Sequence, residues 1–564
     1  MPGSARVYVD ELILGLFSTA ELNLKLRCLC TNYVLVEVFA QSATMGSFFR
    51  LLVVAVVLLQ GSALLDAARN VDIPVRSTVI IIGAGMSGIN AGKRLVEKGV
   101  TDIIILEARE QIGGRMYSHD FNGITIEKGA NWIEGTGGGL QNPILPIAEA
   151  IGLIYDVSNF DNTTNNVFDQ NGFVAPEVAE ATAKKVEEMY EFTEQLGIQM
   201  NNSTESDVCV LTAQRFYNQA KVPGTPVEMA LDYYHNDFEF AEPPRVTSLK
   251  STQPLKTFSD FGGDLNFVHD PRGYKAVVHH LAHSYLANKD GKITDPRLKL
   301  NKVVNKVEYR KRGVRVMCED GSVYVAGYAI VSVSLGVLQS NLIDFEPDLP
   351  FWKLKSIYTF NMAVYTKIFL KFPRTFWNTH PGAKFFVYAD ERRGYYPIWE
   401  NLDSEFPGQN LLMVTVTDEE ARRVEQQPDS ETLDEIMGVL RSMYGPDVPR
   451  AEAIFVPRWF TDRLFRGSFS NWPLGVDSST FDHLQAPVKS LYFTGEHTSE
   501  KYNGYVHGAY LQGIVTANEL LDCMFKRKCS KPNSAYESVV ANAHTETELL
   551  RQMKKNTRTP DAAR

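Results

Sequence analysis

The chain has 564 residues and a formal net charge of −10 at pH 7. A single hydrophobic core does not extend over that length, so we expect at least two intertwined domains. The acidic balance argues against nucleic acid as a partner and is compatible with a cationic ligand. The six cysteines include no pair at CxxC spacing, so we predict neither a metal site nor a redox dithiol.

An apolar run near the N-terminus has the pattern of a secretory signal peptide. Residues 51–59 are all apolar, follow Arg50 and precede small residues. They are too few for a membrane span, which needs roughly 20, but they suit the central region of a signal peptide. Because the pattern begins just after Met45, we predict translation from Met45, a signal peptide over 45–66, and a gene-model extension or variant leader over 1–44. A buried strand or a membrane anchor is the alternative.

A strand–helix–strand unit follows from residue 76. Thr78–Ile82 is an apolar, β-branched run, as expected for a parallel strand buried on both faces. Gly88–Lys98 has the apolar period of an amphipathic helix. Ile103–Leu106 is a second apolar strand that ends at Glu107. This order predicts a Rossmann-type dinucleotide fold, and hence an α/β chain that is α+β overall.

The turn between the first strand and the helix reads Gly83-Ala84-Gly85-x-x-Gly88. Gly83 permits the tight turn, Gly85 lets the backbone approach a pyrophosphate, and Gly88 lets helix and strand pack closely. The pyrophosphate would lie at the helix N-terminus, where free N–H groups favour an anion. Glu107 can accept hydrogen bonds from both ribose hydroxyls and would repel a 2′-phosphate, which argues against NADP.

The rest of the chain alternates between segments of two kinds. Helical stretches such as Pro176–Leu196 alternate with short strands such as 301–304 and 313–317, and a strand–loop–helix unit runs from 491 to 525. We therefore predict a discontinuous dinucleotide domain, an interleaved substrate domain of mixed sheet and helices, and a flexible polar tail. The predicted bounds are 76–150, 263–340 and 450–527 for the first domain, 151–262 and 341–449 for the second, and 530–564 for the tail.

Two further features bear on the compartment. Cys523 and Cys529 are close enough in sequence for a local disulfide in an oxidising compartment, and two free thiols near a helix end are the alternative. N-glycosylation sequons begin at Asn162, Asn201 and Asn202, which weakly favours the secretory route.

The residues after Glu107 extend the dinucleotide pattern towards FAD. Gly113-Gly114-Arg115 suits a second loop folded over the pyrophosphate, with the Arg115 guanidinium offsetting its charge. With this segment and Tyr492–Thr498, the sequence resembles the flavin amine oxidase family over about residues 76–527.

The family resemblance assigns further residues to the cofactor. It implies that Glu496 contacts the ribityl or phosphate region of FAD and that the backbone of Val304 contacts the adenine. Family members that tether the flavin use a cysteine near the second FAD segment. Because the cysteine nearest to Glu496 here is Cys523, we expect FAD to be bound non-covalently.

Several longer motifs narrow the resemblance to the plant secreted polyamine oxidases of the maize type. These motifs are Asn131–Gly135, Asp232–Tyr234, Phe238–Pro244, Val364–Lys367 and Tyr502–Ala509. The resemblance implies oxidation of spermidine and spermine with O2 as acceptor, at the endo side of the secondary nitrogen, to an aminoaldehyde, 1,3-diaminopropane and H2O2. Cleavage at the exo side, as in back-converting relatives, is the alternative.

The resemblance also implies the residues of the reacting end. Glu134 and Glu239 are expected beside a tunnel for a long polycation, whose methylenes and charges suit aromatic walls. Phe238 stands where the maize-type enzymes have a tyrosine, so a hydroxyl is lost there. The expected tunnel or flavin-facing aromatic residues are Trp132, Tyr234, Phe240, Phe469 and Tyr505, with Tyr505 also facing the cofactor.

Lys367 lies in the apolar stretch Tyr365–Leu370, where strand alternation puts Tyr365 and Lys367 on one face. A buried lysine is costly unless it is paired, and burial would lower its pKa. In the family this lysine holds a water near the flavin, so we predict Lys367 and Tyr365 at the catalytic centre, together with Glu134 and Glu239. An edge-strand lysine that reaches solvent is the alternative.

Other classes fit the sequence less well. A monoamine oxidase would carry a C-terminal membrane helix, a histone demethylase would need chromatin-binding elements, and a non-enzymatic flavoprotein would not need Lys367. We therefore expect a monomeric enzyme without stable membrane insertion. It would be secreted to the apoplast, with the vacuole as the alternative destination.

The signal-peptide prediction can be tested on the native protein. N-terminal sequencing should find a mature chain that begins after the apolar run at residues 51–59. A mature chain that begins upstream of residue 60 would contradict both the signal peptide and the start at Met45.

Overall fold

The computed structural model describes residues 22–29, 33–40, 74–219, 221–380 and 382–529. The predicted signal peptide (45–66), the predicted tail (530–564) and most of segment 1–44 lie outside these residues. Contacts divide the chain into two units, Met1–Ile73 and Pro74–Arg564. In the first unit the described backbone is one antiparallel pair of strands, Leu22–Leu29 and Tyr33–Ala40. Everything below concerns the second unit.

The first large sheet is built around the predicted strand–helix–strand unit. Val75–Ile82 pairs in parallel with Ile103–Leu106 on one side and with Val323–Val331 on the other. Its side chains alternate between two hydrophobic clusters, with Val79 and Ile81 in one and Ile80 and Ile82 in the other. Burial on both faces explains the unbroken β-branched run. The strand order in this sheet is Leu298–Lys299, Ile103–Leu106, Val75–Ile82, Val323–Val331, Val314–Cys318, Val304–Tyr309 and Asp344–Glu346, with Leu491–Phe493 also beside Val323–Val331.

One predicted strand is misplaced. The sequence suggested a strand over 301–304, but Asn301 has a positive φ of 55°, and the strand begins at Val304 and runs to Tyr309. An asparagine tolerates this left-handed conformation because its short polar side chain costs little there. The apolar pattern could not reveal the turn.

Two helices pack on one face of the first sheet. Met86–Glu97 and Val506–Lys526 lie against each other at Gly513, where a Cβ would overlap the carbonyl oxygen of Ser87. The last helix ends beside a disulfide between Cys523 and Cys529, which resolves the open question about these two cysteines. None of the described helices has the length and apolarity to cross a membrane.

The second large sheet has seven strands and a cover of helices. One interior strand, Leu411–Thr417, is buried along its whole length and pairs antiparallel with Tyr365–Lys371 and Ile398–Asn401. The strand order is Gly172–Phe173, Val167–Asp169, Phe385–Tyr388, Ile398–Asn401, Leu411–Thr417, Tyr365–Lys371 and Ala453–Phe455.

A smaller sheet carries the segment that follows the second glycine loop. Its three strands are Trp132–Thr136, Asp264–Val268 and Tyr155–Val157, in antiparallel pairs. Two hairpins complete the strands, Ser118–Phe121 with Ile124–Glu127 and Asn288–Lys289 with Lys292–Ile293.

The strands divide between the two large sheets close to the predicted domain bounds, with two exceptions. Asp344–Glu346 joins the first sheet although it lies in the segment 341–449. Ala453–Phe455 joins the second sheet although it lies in the segment 450–527. Within the described part of this unit, the remaining α-helices are Leu145–Ala150, Pro176–Asn201, Val210–Tyr217, Pro226–His235, Asp237–Phe240, Leu249–Thr252, Lys256–Phe261, Ala276–His283, Leu335–Leu338, Phe351–Thr359, Asp418–Gln426, Asp429–Tyr444 and Ser478–Gln485.

Two helical glycines should respond in opposite ways to alanine. A Cβ on Gly88 would overlap the carbonyl oxygen of Gly83, whereas a Cβ on Gly438 would meet open space. Gly88→Ala should lower the free energy of unfolding by about 1–3 kcal/mol through overpacking. Gly438→Ala should raise it by roughly 0.5–1 kcal/mol through helix propensity. Thermal unfolding of both variants tests the pair, and equal Tm shifts would contradict the close turn at Gly83.

Candidate active site

One continuous cavity runs through the second unit from the glycine turn to the smaller sheet. Glu107 and Val304 line it on the first sheet, and Glu134 and Glu239 line it at the other end. The cavity is therefore shared by both predicted domains.

The glycine turn forms a wall of bare backbone. Gly83 has a φ of 105°, and a Cβ there would come within 2.5 Å of the Ser332 carbonyl oxygen. The second loop folds onto this turn, since the Gly113 N–H donates to the Ala84 carbonyl oxygen at 3.0 Å and Gly114 approaches Gly85. Backbone without side chains lets an anion approach the N–H groups at the helix start.

Glu107 is held at the end of the second strand by two backbone donors. Its Oε2 accepts from the Ala84 N–H at 2.8 Å and its Oε1 from the Arg109 N–H at 2.9 Å. Burial raises the pKa of Glu107, and these hydrogen bonds lower it in part. The carboxylate lines the cavity, in a place suited to ribose hydroxyls.

Two residues predicted to bind the cofactor do not line the cavity. Ala84 is fully buried, with its N–H taken by Glu107. Gly88 packs against Gly83. Both residues shape the turn, and the close approach of Gly88 to Gly83 agrees with the packing role predicted for Gly88.

Arg115 and Glu496 both line the cavity but form an ion pair with each other. The Arg115 guanidinium donates to Glu496 Oε1 at 2.7 Å and to the Ser468 carbonyl oxygen at 2.9 Å. Glu496 also accepts from the N–H groups of Ser470 and Gly504. Burial alone would raise the pKa of Glu496, but Arg115 and the other donors hold it at about 2. That Arg115 offsets a pyrophosphate charge stays a prediction, and part of its charge already faces Glu496.

These features fit a bound dinucleotide. The turn offers backbone donors where a Cβ would fill the space, Glu107 offers a carboxylate acceptor, and Val304 lines the same end. Within the part of the chain that the structure describes, no cysteine lines the cavity.

Lys367 lies at the far end of the cavity and is 3% exposed. Because the side chain is buried, the alternative of an edge-strand lysine that reaches solvent is wrong. The Nζ atom donates to the Gly129 carbonyl oxygen at 2.5 Å and to Asn131 Oδ1. Burial lowers the pKa of Lys367 to about 7, against the opposing effect of Glu127, Glu400 and Glu134.

Glu134 and Glu239 reach the same end of the cavity from different elements. Glu134 belongs to strand Trp132–Thr136 and Glu239 to the short helix Asp237–Phe240. Burial raises the pKa of Glu134 well above its usual range, and the neighbouring Glu239 raises it further. Burial also raises the pKa of Glu239, while a hydrogen bond from Tyr505 at 2.7 Å lowers it. Both residues are half-buried, and two neighbouring carboxyls in a desolvated cavity favour a single negative charge between them.

Aromatic side chains line the end of the cavity that contains Lys367. Trp132, Tyr365, Phe469 and Tyr505 line the cavity as predicted from the resemblance. The Trp132 ring centre lies 5.5 Å from Lys367 Nζ, and its indole N–H donates to the Ser158 hydroxyl.

Two predicted aromatic residues lie behind these lining side chains. Phe240 is buried against the Trp472 ring at 5.4 Å, and Tyr234 packs on Phe238 at 6.1 Å. Neither lines the cavity, so their prediction as substrate-binding residues is corrected. Phe238 takes the lining position, since the kink between helices Pro226–His235 and Asp237–Phe240 turns it inwards.

Sequence reasoning missed other lining residues, among them Asn131, Phe160, Tyr274 and His507. Asn131 and His507 stand in motifs that carried the resemblance, so their polarity beside buried residues was an available signal. Phe160 and Tyr274 lie in segments without such a motif, and only their packing reveals them.

The sequence matches the family of flavin containing amine oxidoreductases over residues 86–521. It is 53% identical over 489 residues to polyamine oxidase 1 of Zea mays, which covers 85% of this chain and 97% of the maize protein. It is also 53% identical over 458 residues to polyamine oxidase 6 of Oryza sativa subsp. japonica, with 80% of this chain and 92% of the rice protein covered.

Solved structures share the fold. The structure of wild-type putrescine oxidase bound to putrescine superposes with a TM-score of 0.62 at 17% identity, over 80% of this chain and 100% of that one. The predicted Rossmann-type fold with an interleaved second domain is thereby confirmed at the level of fold class. The family match and the two plant relatives show that this chain belongs to the flavin-containing amine oxidoreductases and is an FAD-dependent amine oxidase.

Proposed function

We propose that the chain oxidises polyamines, with spermidine and spermine as substrates and O2 as acceptor. The observation that carries the proposal is the pair of cavity-lining carboxyls, Glu134 and Glu239, beside Lys367 in a cavity lined by aromatic side chains. A long cation gains from carboxylates inside such a cavity and from ring faces along its methylenes. The names of the maize and rice relatives support the same substrate class.

Some residues of the cavity bind the substrate, and others exchange protons. Bound FAD would supply the redox chemistry, which is acceptance of a hydride equivalent from the carbon next to nitrogen and transfer of the electrons to O2. Glu239 and Glu134 hold an ammonium group of the substrate, and this contact sets which carbon lies at the reacting end. Trp132, Tyr365 and Phe469 exclude water from that end, which strengthens the electrostatic contacts there.

Lys367 is placed for proton exchange. Gly129 and Asn131 accept two of its hydrogens, so a third position on Nζ faces other groups. With a pKa of about 7 the amine carries either a proton or a lone pair near neutral pH. It can therefore hold a water molecule in the cavity as donor or as acceptor.

The finer parts of the proposal follow the plant secreted enzymes that the sequence resembles. We include cleavage at the endo side of the secondary nitrogen, which gives 1,3-diaminopropane, an aminoaldehyde and H2O2. We also include non-covalent FAD, since no described cysteine lines the cavity, and a monomeric enzyme. The Cys523–Cys529 disulfide supports secretion to the apoplast or delivery to the vacuole, because both are reached through an oxidising compartment.

Product analysis tests the proposed reaction. Purified holoenzyme incubated with spermidine should release H2O2 and 1,3-diaminopropane in equal amounts. Putrescine as the product instead would replace endo cleavage by exo cleavage and leave polyamine oxidation standing. Absence of H2O2 with both spermidine and spermine would contradict the proposed substrate class.

Lys367→Met tests the lysine. The variant should keep FAD but slow flavin reduction or reoxidation at least about tenfold, because the proton-exchanging group is lost. The rate of the affected step in the wild type should change near pH 7, and this ionisation should be missing in the variant. Stopped-flow absorbance of the flavin measures both steps.

Lys371→Met is the matched control for this experiment. Lys371 lies on the same strand, contacts Gln409 and does not line the cavity. Its variant should react like the wild type. Unchanged turnover in Lys367→Met would remove the lysine from the mechanism.

A further inference from the structure

Three buried polar side chains border the carboxyl pair and have no part in the proposed mechanism. They are Asn142, Thr257 and His507, none more than 2% exposed. The His507 ring lines the cavity and stacks on Tyr505, with 5.1 Å between centroids and 17° between planes.

The amide of Asn142 has a single favourable orientation. Its Oδ1 accepts from the Ile144 N–H at 2.9 Å, and its Nδ2 donates to the Glu134 carbonyl oxygen at 2.7 Å. A flipped amide would oppose donor to donor and acceptor to acceptor at these two contacts. The second Nδ2 hydrogen therefore faces His507 Nδ1, which lies 3.3 Å away and accepts it.

This contact determines the tautomer of His507. Burial lowers its pKa to about 3, so the ring is neutral and carries one hydrogen. Because Nδ1 accepts, that hydrogen is on Nε2, which donates to the Thr257 hydroxyl oxygen at 3.1 Å. The Tyr505 hydroxyl donates to Glu239 Oε1 at 2.7 Å. Thr257 lowers the pKa of Tyr505 against the effect of burial, which places the Thr257 hydroxyl as the next member of the chain, on the donor side of Tyr505.

We propose that Asn142, His507 and Thr257 form a one-way hydrogen-bond chain that fixes Tyr505 as a donor to Glu239. Glu239 then carries the negative charge of the carboxyl pair and binds the substrate ammonium, while Glu134 carries the proton. The proposal rests on the proposed function, and it makes His507 a positioning residue that acts through Tyr505.

The surroundings of the two carboxyls support this asymmetry. Among the described residues, Tyr505 donates to Glu239, and none donates a hydrogen bond to the Glu134 carboxylate. The titratable groups that face the pair are Lys367, Tyr365, Tyr274 and Tyr505, with His507 behind Tyr505. Lys367 is the one basic group among these, and its Nζ is bound to Gly129 and Asn131. A donor aimed at one carboxylate stabilises its ionised form over that of its neighbour.

A single anchored charge has a consequence for specificity. Because an ammonium group of the polyamine would bind at Glu239, substrates would be selected by the distance between that ammonium group and the reacting carbon. Loss of the hydrogen-bond chain should then weaken substrate binding more than it slows the chemical step.

Variants that break the chain test the proposal. His507→Phe keeps an aromatic ring against Tyr505 and removes both ring nitrogens. With spermidine we expect KM to rise about tenfold and kcat to stay within about twofold. Tyr505→Phe should raise KM similarly, and the double variant should be no worse than the more impaired single variant, because both cut one chain.

Tyr502→Phe is the matched control. Tyr502 also packs on His507, at 5.2 Å between centroids, but its hydroxyl donates to Asp260, outside the chain. Its KM should equal that of the wild type. Should His507→Phe fail to fold, Thr257→Val cuts the chain at its next link and should raise KM to the same extent.

Several results would overturn the proposal. Unchanged KM in the chain variants would do so, as would multiplied effects in the double variant or a fall in kcat that matches the rise in KM.

The hydrogen-bond chain can also be tested without turnover. Nitrogen-15 NMR of imidazole-labelled holoenzyme should show His507 as the neutral Nε2–H tautomer, with the His507→Phe variant identifying its signals. The Nδ1–H tautomer or a charged ring would overturn the chain even if the enzyme oxidises polyamines. If His507 shows the expected tautomer but the enzyme oxidises no polyamine, the proposed function is contradicted and the hydrogen-bond chain is not.

Discussion

Burial of the Lys367 amine determines how the reacting end is assembled. The lysine belongs to the second large sheet, whereas its acceptors, Gly129 and Asn131, lead into strand Trp132–Thr136 of the smaller sheet. Moving a basic group out of water without such partners costs several kcal/mol. The two sheets are therefore held at one relative position, and that position places Trp132 and Glu134 beside the lysine.

Local patterns predicted the dinucleotide half well. The strand expected at 78–82 lies at Val75–Ile82, and the helix expected at 88–98 lies at Met86–Glu97. These elements could be predicted because burial on both faces and the glycine turn leave signatures within a few residues. The prediction of the cavity end with Lys367 and the two glutamates came from family resemblance, since no local sequence pattern connects residues that far apart.

The corrections and the pairing of Arg115 with Glu496 share one physical cause. Whether Arg115 meets a cofactor phosphate or Glu496 depends on a partner 381 residues away. Whether Tyr234 or Phe238 reaches the cavity depends on a kink between two short helices. Side-chain direction in such places is decided by tertiary packing, which sequence spacing does not record. The His507 chain was missed for the same reason, because its links come from three separate segments.

The last helix connects the reacting end to the far side of the molecule. It begins next to Tyr505 and runs for 21 residues to the Cys523–Cys529 bridge. At 1.5 Å per residue the helix is about 30 Å long. An affinity tag or fluorescent protein joined after Cys529 would therefore start about 30 Å from Tyr505, which makes this a suitable attachment point for imaging or immobilising the active enzyme.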